Sequence, residues 1–289
     1  MTRILVTNDD GVDARGIHVL TAALARAGHD VVVVAPDRDR SGAGAALGGL
    51  AADEHLDAQR VELPGCAGVP AFALDATPGL CVIAARLGAF GDPPDVVVSG
   101  INPGPNTGRS VLHSGTVGAA LTGQGFGCSG LAVSLGVSDP WHYDTAARVA
   151  LDVLPMVLDA PARSVLNLNV PGVGYDDLRG IRWARLAPFG TVRSALAERD
   201  DGKLQFELRA TDAVFPPDSD SGLLRDGFAS LTTLVGVAEA WPEGPGAPAG
   251  GIEANVVPGG AVEPAHPVPD ASAPRSLHRP SHGGAVPGA

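Results

Sequence analysis

The sequence predicts an α/β fold of three layers: a mostly parallel sheet with helices on both faces, joined by a smaller antiparallel β extension. Two observations carry this. From residue 4 to residue 170, short and nearly continuous apolar runs alternate with segments of helical spacing. Unbroken apolar runs mark strands covered on both faces. After Pro171 the runs alternate instead, as strands do when one face meets water.

The elements follow in order. Ile4 to Val6 is a buried strand that stops abruptly at Asn8-Asp9-Asp10-Gly11. Gly16 to Ala27 carries Ile17, Leu20 and Leu24 at helical spacing, with Gly28 placed to end the helix. Val31 to Ala35 is a β-branched strand closed by Pro36, which completes a right-handed βαβ unit. Pro78 to Leu87 reads as a helix, and Asp95 to Val98 as a strand that runs into a loop of Gly, Asn and Pro. Thr116 to Thr122 is a helix of small residues. Leu131 to Leu135, Thr145 to Leu158 and Val165 to Val170 then give strand, helix and strand. In the extension, Ile181 to Leu186 and Leu204 to Arg209 are alternating strands. Asp200-Asp201-Gly202-Lys203 is a hairpin signal, and Phe228 to Leu234 is a last strand. Residues 1–241 therefore form the folded part, with a core over 1–170 and an extension over 171–241. Residues 242–289 are rich in Gly, Pro and Ala and hold no aromatic residue. Such a segment buries too little to offset its ordering entropy and is expected to be a disordered tail without a role in function.

Composition narrows the function. A net charge of −12 argues against a broad nucleic-acid footprint and against an anionic membrane surface. No apolar stretch approaches the ~20 residues of a membrane span. Cys66, Cys81 and Cys128 are scattered and without a CxxC, which fits a reducing compartment and a cytoplasmic protein.

Four strand-end loops converge at one end of such a sheet, where open α/β folds bind their ligands. They are Asn8 to Gly11, Asp37 to Gly44, Ser99 to Gly108, and Ser114-Gly115-Thr116. Asp9, Asp10, the Ser41 hydroxyl and the Asn102 amide are all oxygen donors, suited to a hard divalent cation. Two carboxylates about 4 Å apart repel by roughly 4 kcal/mol at an effective dielectric near 20, and a cation removes that penalty. The plainer alternative is that these acids cap the following helix. Ser114-Gly115-Thr116 offers hydroxyls and N–H groups at a helix start, where an anion is favoured, or it simply caps that helix. Arg38 and Arg40 are further candidates for positive charge. A cation beside an anion cradle suits phosphoryl chemistry. No GxSxG, GxxxxGK[ST] or zinc spacing occurs, and the first strand lacks GxGxxG. A sugar-nucleotide transferase using an acid pair and a metal is the other catalytic reading, disfavoured because the pair lies on the first strand.

These blocks together resemble the SurE family, the 5′/3′-nucleotidases. The resemblance lies in Ile4-Leu5-Val6-Thr7-Asn8-Asp9-Asp10-Gly11, Val34-Ala35-Pro36-Asp37-Arg38 with Arg40-Ser41-Gly42, Val98-Ser99-Gly100-Ile101-Asn102 with Asn106, and Ser114 to Ala120. It implies a Rossmann-like, metal-dependent phosphatase acting on nucleoside 5′- and 3′-monophosphates, and on short polyphosphate in some members. It implies one divalent cation per subunit, Mg²⁺ or Mn²⁺, on Asp9, Asp10, Ser41 and Asn102. It implies Asp9 and Asp10 as the catalytic pair. Phosphate contacts are implied near Asn106, Ser114, Gly115 and Thr116, and a homodimer or homotetramer as the assembly. Three positions depart from the family pattern: His113 replaces a Tyr, while Thr122 and Leu80 stand where acids are usual. They leave open a catalytically impaired nucleotide- or metal-binding relative with a regulatory role.

Overall fold

A computed structural model describes residues 2–48, 55–189, 192–200, 203–210 and 214–238, the two strands at 192–210 by backbone alone. Contacts divide the chain into Met1–Trp241 and Pro242–Ala289. The tail expected over 242–289 lies outside the described residues.

The chain begins with β1 (Arg3–Thr7), α1 (Arg15–Arg26) and β2 (Asp30–Pro36), then an edge pair, β3 (Ala58–Val61) and β4 (Ala71–Leu74). Next come α2 (Pro78–Arg86), β5 (Val96–Pro103), α3 (Gly115–Gly125), β6 (Ser129–Leu135), α4 (Tyr143–Leu158) and β7 (Val165–Val170). The extension holds β8 (Ile181–Trp183), β9 (Val192–Asp200), β10 (Lys203–Ala210), α5 (Asp220–Arg225) and β11 (Ala229–Leu234). Nine strands form one sheet in the order β3-β4-β2-β1-β5-β6-β7-β11-β8. From β4 to β7 every pair is parallel, while β3 and β11 run antiparallel to their neighbours β4 and β7. β9 and β10 form a separate antiparallel pair.

Side chains of β1 alternate between the two faces, as a strand buried on both sides requires. Ile4 and Val6 join one apolar cluster with Ile17, Leu20 and Leu154; Leu5 joins the other with Val82 and Ala119. Helices α1 and α4 cover the first face, α2 and α3 the second. Helix α2 starts on Pro78, with the Thr77 hydroxyl accepting the Leu80 N–H at 3.4 Å. Helix α1 ends where Gly28 takes φ +87°.

Several expectations need correction. The edge strands β3 and β4 have no counterpart in the sequence reading. β5 continues through Pro103 instead of ending at Val98, with a register shift between Ser99 and Asn102. Glycine is required inside that bulge, because a β-carbon on Gly100 would lie 2.3 Å from the Val133 carbonyl oxygen. In the extension, Ile181 to Leu186 shortens to three residues of β8, paired parallel to β11. The turn residues Asp201 and Gly202 lie outside the described residues, though the strands flanking them pair as a hairpin does.

Candidate active site

Strand order reverses direction at β1: the chain passes from β1 to β2 on one side and later returns to β5 on the other. The crevice at such a switch point is where open α/β sheets hold ligands. The loops after β1, β2 and β5 and the start of α3 meet there.

The first loop turns because Gly11 adopts φ +98° and the Asn8 amide donates to the Gly11 carbonyl at 2.9 Å. It is tied to the loop after β2 by bonds from Arg40 N–H to the Asp9 carbonyl (2.7 Å) and from Val12 N–H to the Pro36 carbonyl (2.8 Å). The N-cap position of α1 is Ala14, with no side-chain cap bond, so neither acid caps the following helix. Asp9 instead caps α3, more than a hundred residues away. Its Oδ2 accepts from the Gly115 N–H at 3.0 Å and its Oδ1 from the Thr116 hydroxyl. Burial pushes the Asp9 carboxyl up, and these donors pull back against that.

Asp10 takes no bond from the start of α3. Its Oδ2 is buried with no hydrogen-bond partner. Burial first, then the charges of Asp9 and Asp39, push its carboxyl up to about 7. Asn102, on β5, donates through Nδ2 to the Gly104 carbonyl at 2.7 Å, which fixes its Oδ1 on the opposite side. That oxygen lies 3.4 Å from the Thr116 hydroxyl, which also serves Asp9. The Thr116 hydroxyl gives its one proton to Asp9 and sits between that carboxylate and the Asn102 amide oxygen.

Ser41 is exposed and touches neither acid among the bonds of the described residues. Its N–H and hydroxyl both donate to Asp39 Oδ1, at 2.7 and 2.6 Å. A hydroxyl whose proton is held by a carboxylate keeps its oxygen lone pairs for another partner, as supporting carboxylates do behind metal ligands. Asp39 lies within the Asp37-Arg38-Asp39-Arg40 charge run. Arg38 and Arg40 do not extend the positive charge of the site: both pair with Asp75 and with Asp37.

The cradle expected at Ser114-Gly115-Thr116 has other duties. Gly115 and Thr116 serve Asp9, and Thr116 is fully buried. Ser114 caps α3, its Oγ accepting the Val117 N–H at 3.1 Å, so its own hydroxyl proton remains to donate. Asn106 is half-buried, and its Nδ2 donates to the Ser134 hydroxyl at 2.9 Å. Of the departures, His113 is exposed. Leu80 is buried in the cluster beneath α2, and Thr122 donates to the Gly118 carbonyl of its own helix at 2.7 Å.

Among the described residues no three His, Cys, Asp or Glu form a metal cluster. A cation here must use hydroxyl and amide oxygens beside the two acids. The donors fit a hard divalent ion: every one is oxygen, two are repelling carboxylates, and one buried carboxylate oxygen lacks a partner. Soft or borderline ions would call for Cys or His, and none is part of this set.

Comparison with known proteins gives the same family that the motifs resemble. The family profile described as "Survival protein SurE" matches residues 4–190. The chain is 43% identical over 243 residues to the 5′-nucleotidase SurE of Xanthomonas euvesicatoria pv. vesicatoria (strain 85-10), covering 80% of this chain and 89% of that relative. It is 42% identical, with the same coverage, to the 5′-nucleotidase SurE of Xanthomonas oryzae pv. oryzae (strain PXO99A). Among solved structures, the SurE protein from Aquifex aeolicus superposes with a TM-score of 0.67 at 29% identity, over 82% of this chain and 94% of that one.

Proposed function

The chain belongs to the SurE family and is a 5′-nucleotidase, and we propose that Asp9, Asp10, Ser41 and Asn102 hold its one divalent cation, Mg²⁺ or Mn²⁺. The substrate is a nucleoside 5′-monophosphate, with 3′-monophosphates and short polyphosphate as further members of the same phosphoester class. When bound, the cation supplies Lewis-acid polarisation of the phosphoryl group and cancels the repulsion between the two acids. The observation that carries this reading is the buried, unpartnered Asp10 oxygen beside Asp9 at the switch point of the sheet.

The residues divide the work by their bonds. Both Asp9 oxygens accept hydrogen bonds, which fixes the carboxylate and makes it a poor nucleophile. Asp10 would give its unpartnered Oδ2 to the cation, which leaves its other oxygen as the one to orient an attacking water and take its proton. The Ser114 hydroxyl and the Asn106 amide stand on the phosphate side as neutral donors. Gly115 and Thr116 then act on the phosphate only through Asp9. Residues 1–241 carry this activity, within a homodimer or homotetramer.

The test is phosphate release from AMP and GMP with Mn²⁺ or Mg²⁺, with and without EDTA. EDTA is expected to abolish release and added Mn²⁺ to restore it. Asp9→Asn is expected to remove nearly all turnover and weaken Mn²⁺ binding while the melting temperature holds. Full turnover by that variant overturns the site. A protein that binds nucleotide without releasing phosphate restores the regulatory alternative, which no feature of the site favours.

A further inference from the structure

Strand β7 lies between β6 and β11, yet it places two asparagines, Asn167 and Asn169, at 0% exposure. Burying an amide without partners is costly, so two such residues in a sheet interior need a reason. Their bonds converge on one loop residue. Asn169 Oδ1 accepts the Asn106 N–H at 2.8 Å. The Asn106 carbonyl accepts from Asn169 Nδ2 at 3.0 Å and from Asn167 Nδ2 at 2.9 Å. The Asn106 side chain donates to Ser134 on β6 at 2.9 Å. Asn167 Oδ1 is itself buried without a partner, so this amide is kept for its donor.

The register shows where the clamp stands. Asn102 on β5 pairs with Ser134 on β6, which pairs with Asn169 on β7. One rung of the sheet thus carries Asn102 with Ser134 and Asn169, two of the three anchors of Asn106. Two residues further on, the Gly108 N–H donates to the buried Asp220 carboxylate at 2.7 Å, a second tie on the same loop.

We propose that Asn167, Asn169 and Ser134 are positioning residues that clamp Asn106 and thereby set the affinity of the site for the substrate phosphate. This rests on the reading of Asn106 as a phosphate contact. The main chain of Asn106 is held at both N–H and carbonyl, so the residue cannot turn. Its Nδ2 gives one N–H to Ser134 and keeps the second for a phosphate oxygen. None of the three clamp residues needs to touch substrate.

The experiment uses the full chain with Mn²⁺ and reads four quantities: KM and kcat for AMP, competitive inhibition by inorganic phosphate, Mn²⁺ affinity from free-ion EPR, and melting temperature. Asn169→Leu, close to isosteric, is expected to weaken phosphate inhibition and raise KM by about tenfold, with Mn²⁺ affinity within about twofold of wild type. Asn106→Ala is expected to have the same effect, and the double variant to be no worse than Asn106→Ala alone. Additive losses overturn the clamp, because they place Asn169 on another route. A silent Asn169→Leu beside a weakened Asn106→Ala overturns the clamp and leaves the phosphate contact standing. A silent Asn106→Ala overturns the contact itself, and the clamp with it. If Asn169→Leu fails to fold, Ser134→Ala decides: a KM raised by about threefold or more at unchanged Mn²⁺ affinity supports the clamp, and an unchanged KM overturns it.

Discussion

A β-carbon on Gly115 would lie 2.6 Å from the Asp9 β-carbon and 2.7 Å from Asp9 Oδ2. The residue is glycine because the carboxylate occupies the space where its side chain would be. Gly115→Ala is therefore expected to push Asp9 off its place and lower kcat/KM by about a hundredfold, a loss typical of a displacement near 1 Å. Steady-state assays with AMP, beside a melting curve, check this. The same scale explains why Asp9 and Asp10 were legible as a pair but not as individuals. Adjacent residues of one type look alike in a sequence. Their difference comes from Gly115 and Thr116, which give Asp9 donors on both oxygens, while Asp10 Oδ2 is buried without a partner.

Helices and strands are legible where an apolar pattern or a cap marks them, as with β7 and with α2 behind Thr77 and Pro78. β5 was cut short because Gly100, Asn102 and Pro103 are loop residues by composition; the pairing that overrides this comes from β6. Helix α2 also carries a pH signature. Burial pushes the Cys81 thiol up from 9.0 to about 12. Above pH 9 the unfolded chain loses this proton and the native state keeps it, so the unfolded state binds fewer protons and stability falls as pH rises. The slope is about 1.4 kcal/mol per pH unit for this thiol between pH 9 and 12. Cys81→Ala should therefore lose about 2 kcal/mol less than wild type between pH 9 and 10.5. Urea unfolding at the two pH values measures it, and parallel losses in the two proteins defeat it.

Across the whole molecule, the site draws on both ends of the folded chain. Asp220, in the extension, accepts from Gly108 in the loop after β5 and from Ala187, at 2.7 and 2.9 Å. The extension is thus tied to the site loop by a buried carboxylate. The last 48 residues are expected to contribute nothing of this kind, since their composition supplies no core. A chain ending at Trp241 should keep kcat, KM and melting temperature; a loss in any of them assigns the tail a role. Among the described residues, no helix is long and apolar enough to cross a membrane.

The order of apolar runs by itself determined the three-layer sheet, and the spacing of the polar blocks determined the family, because burial on both faces and the turns between strands are written locally. The division of labour inside the site was decided only by the tertiary structure. Which acid is held, and that Asn167 and Asn169 bond to the loop at Asn106, depend on groups brought together from more than sixty residues apart. A buried hydrogen bond is a relation between two distant groups, and neither partner carries a mark of the other in its own stretch of chain.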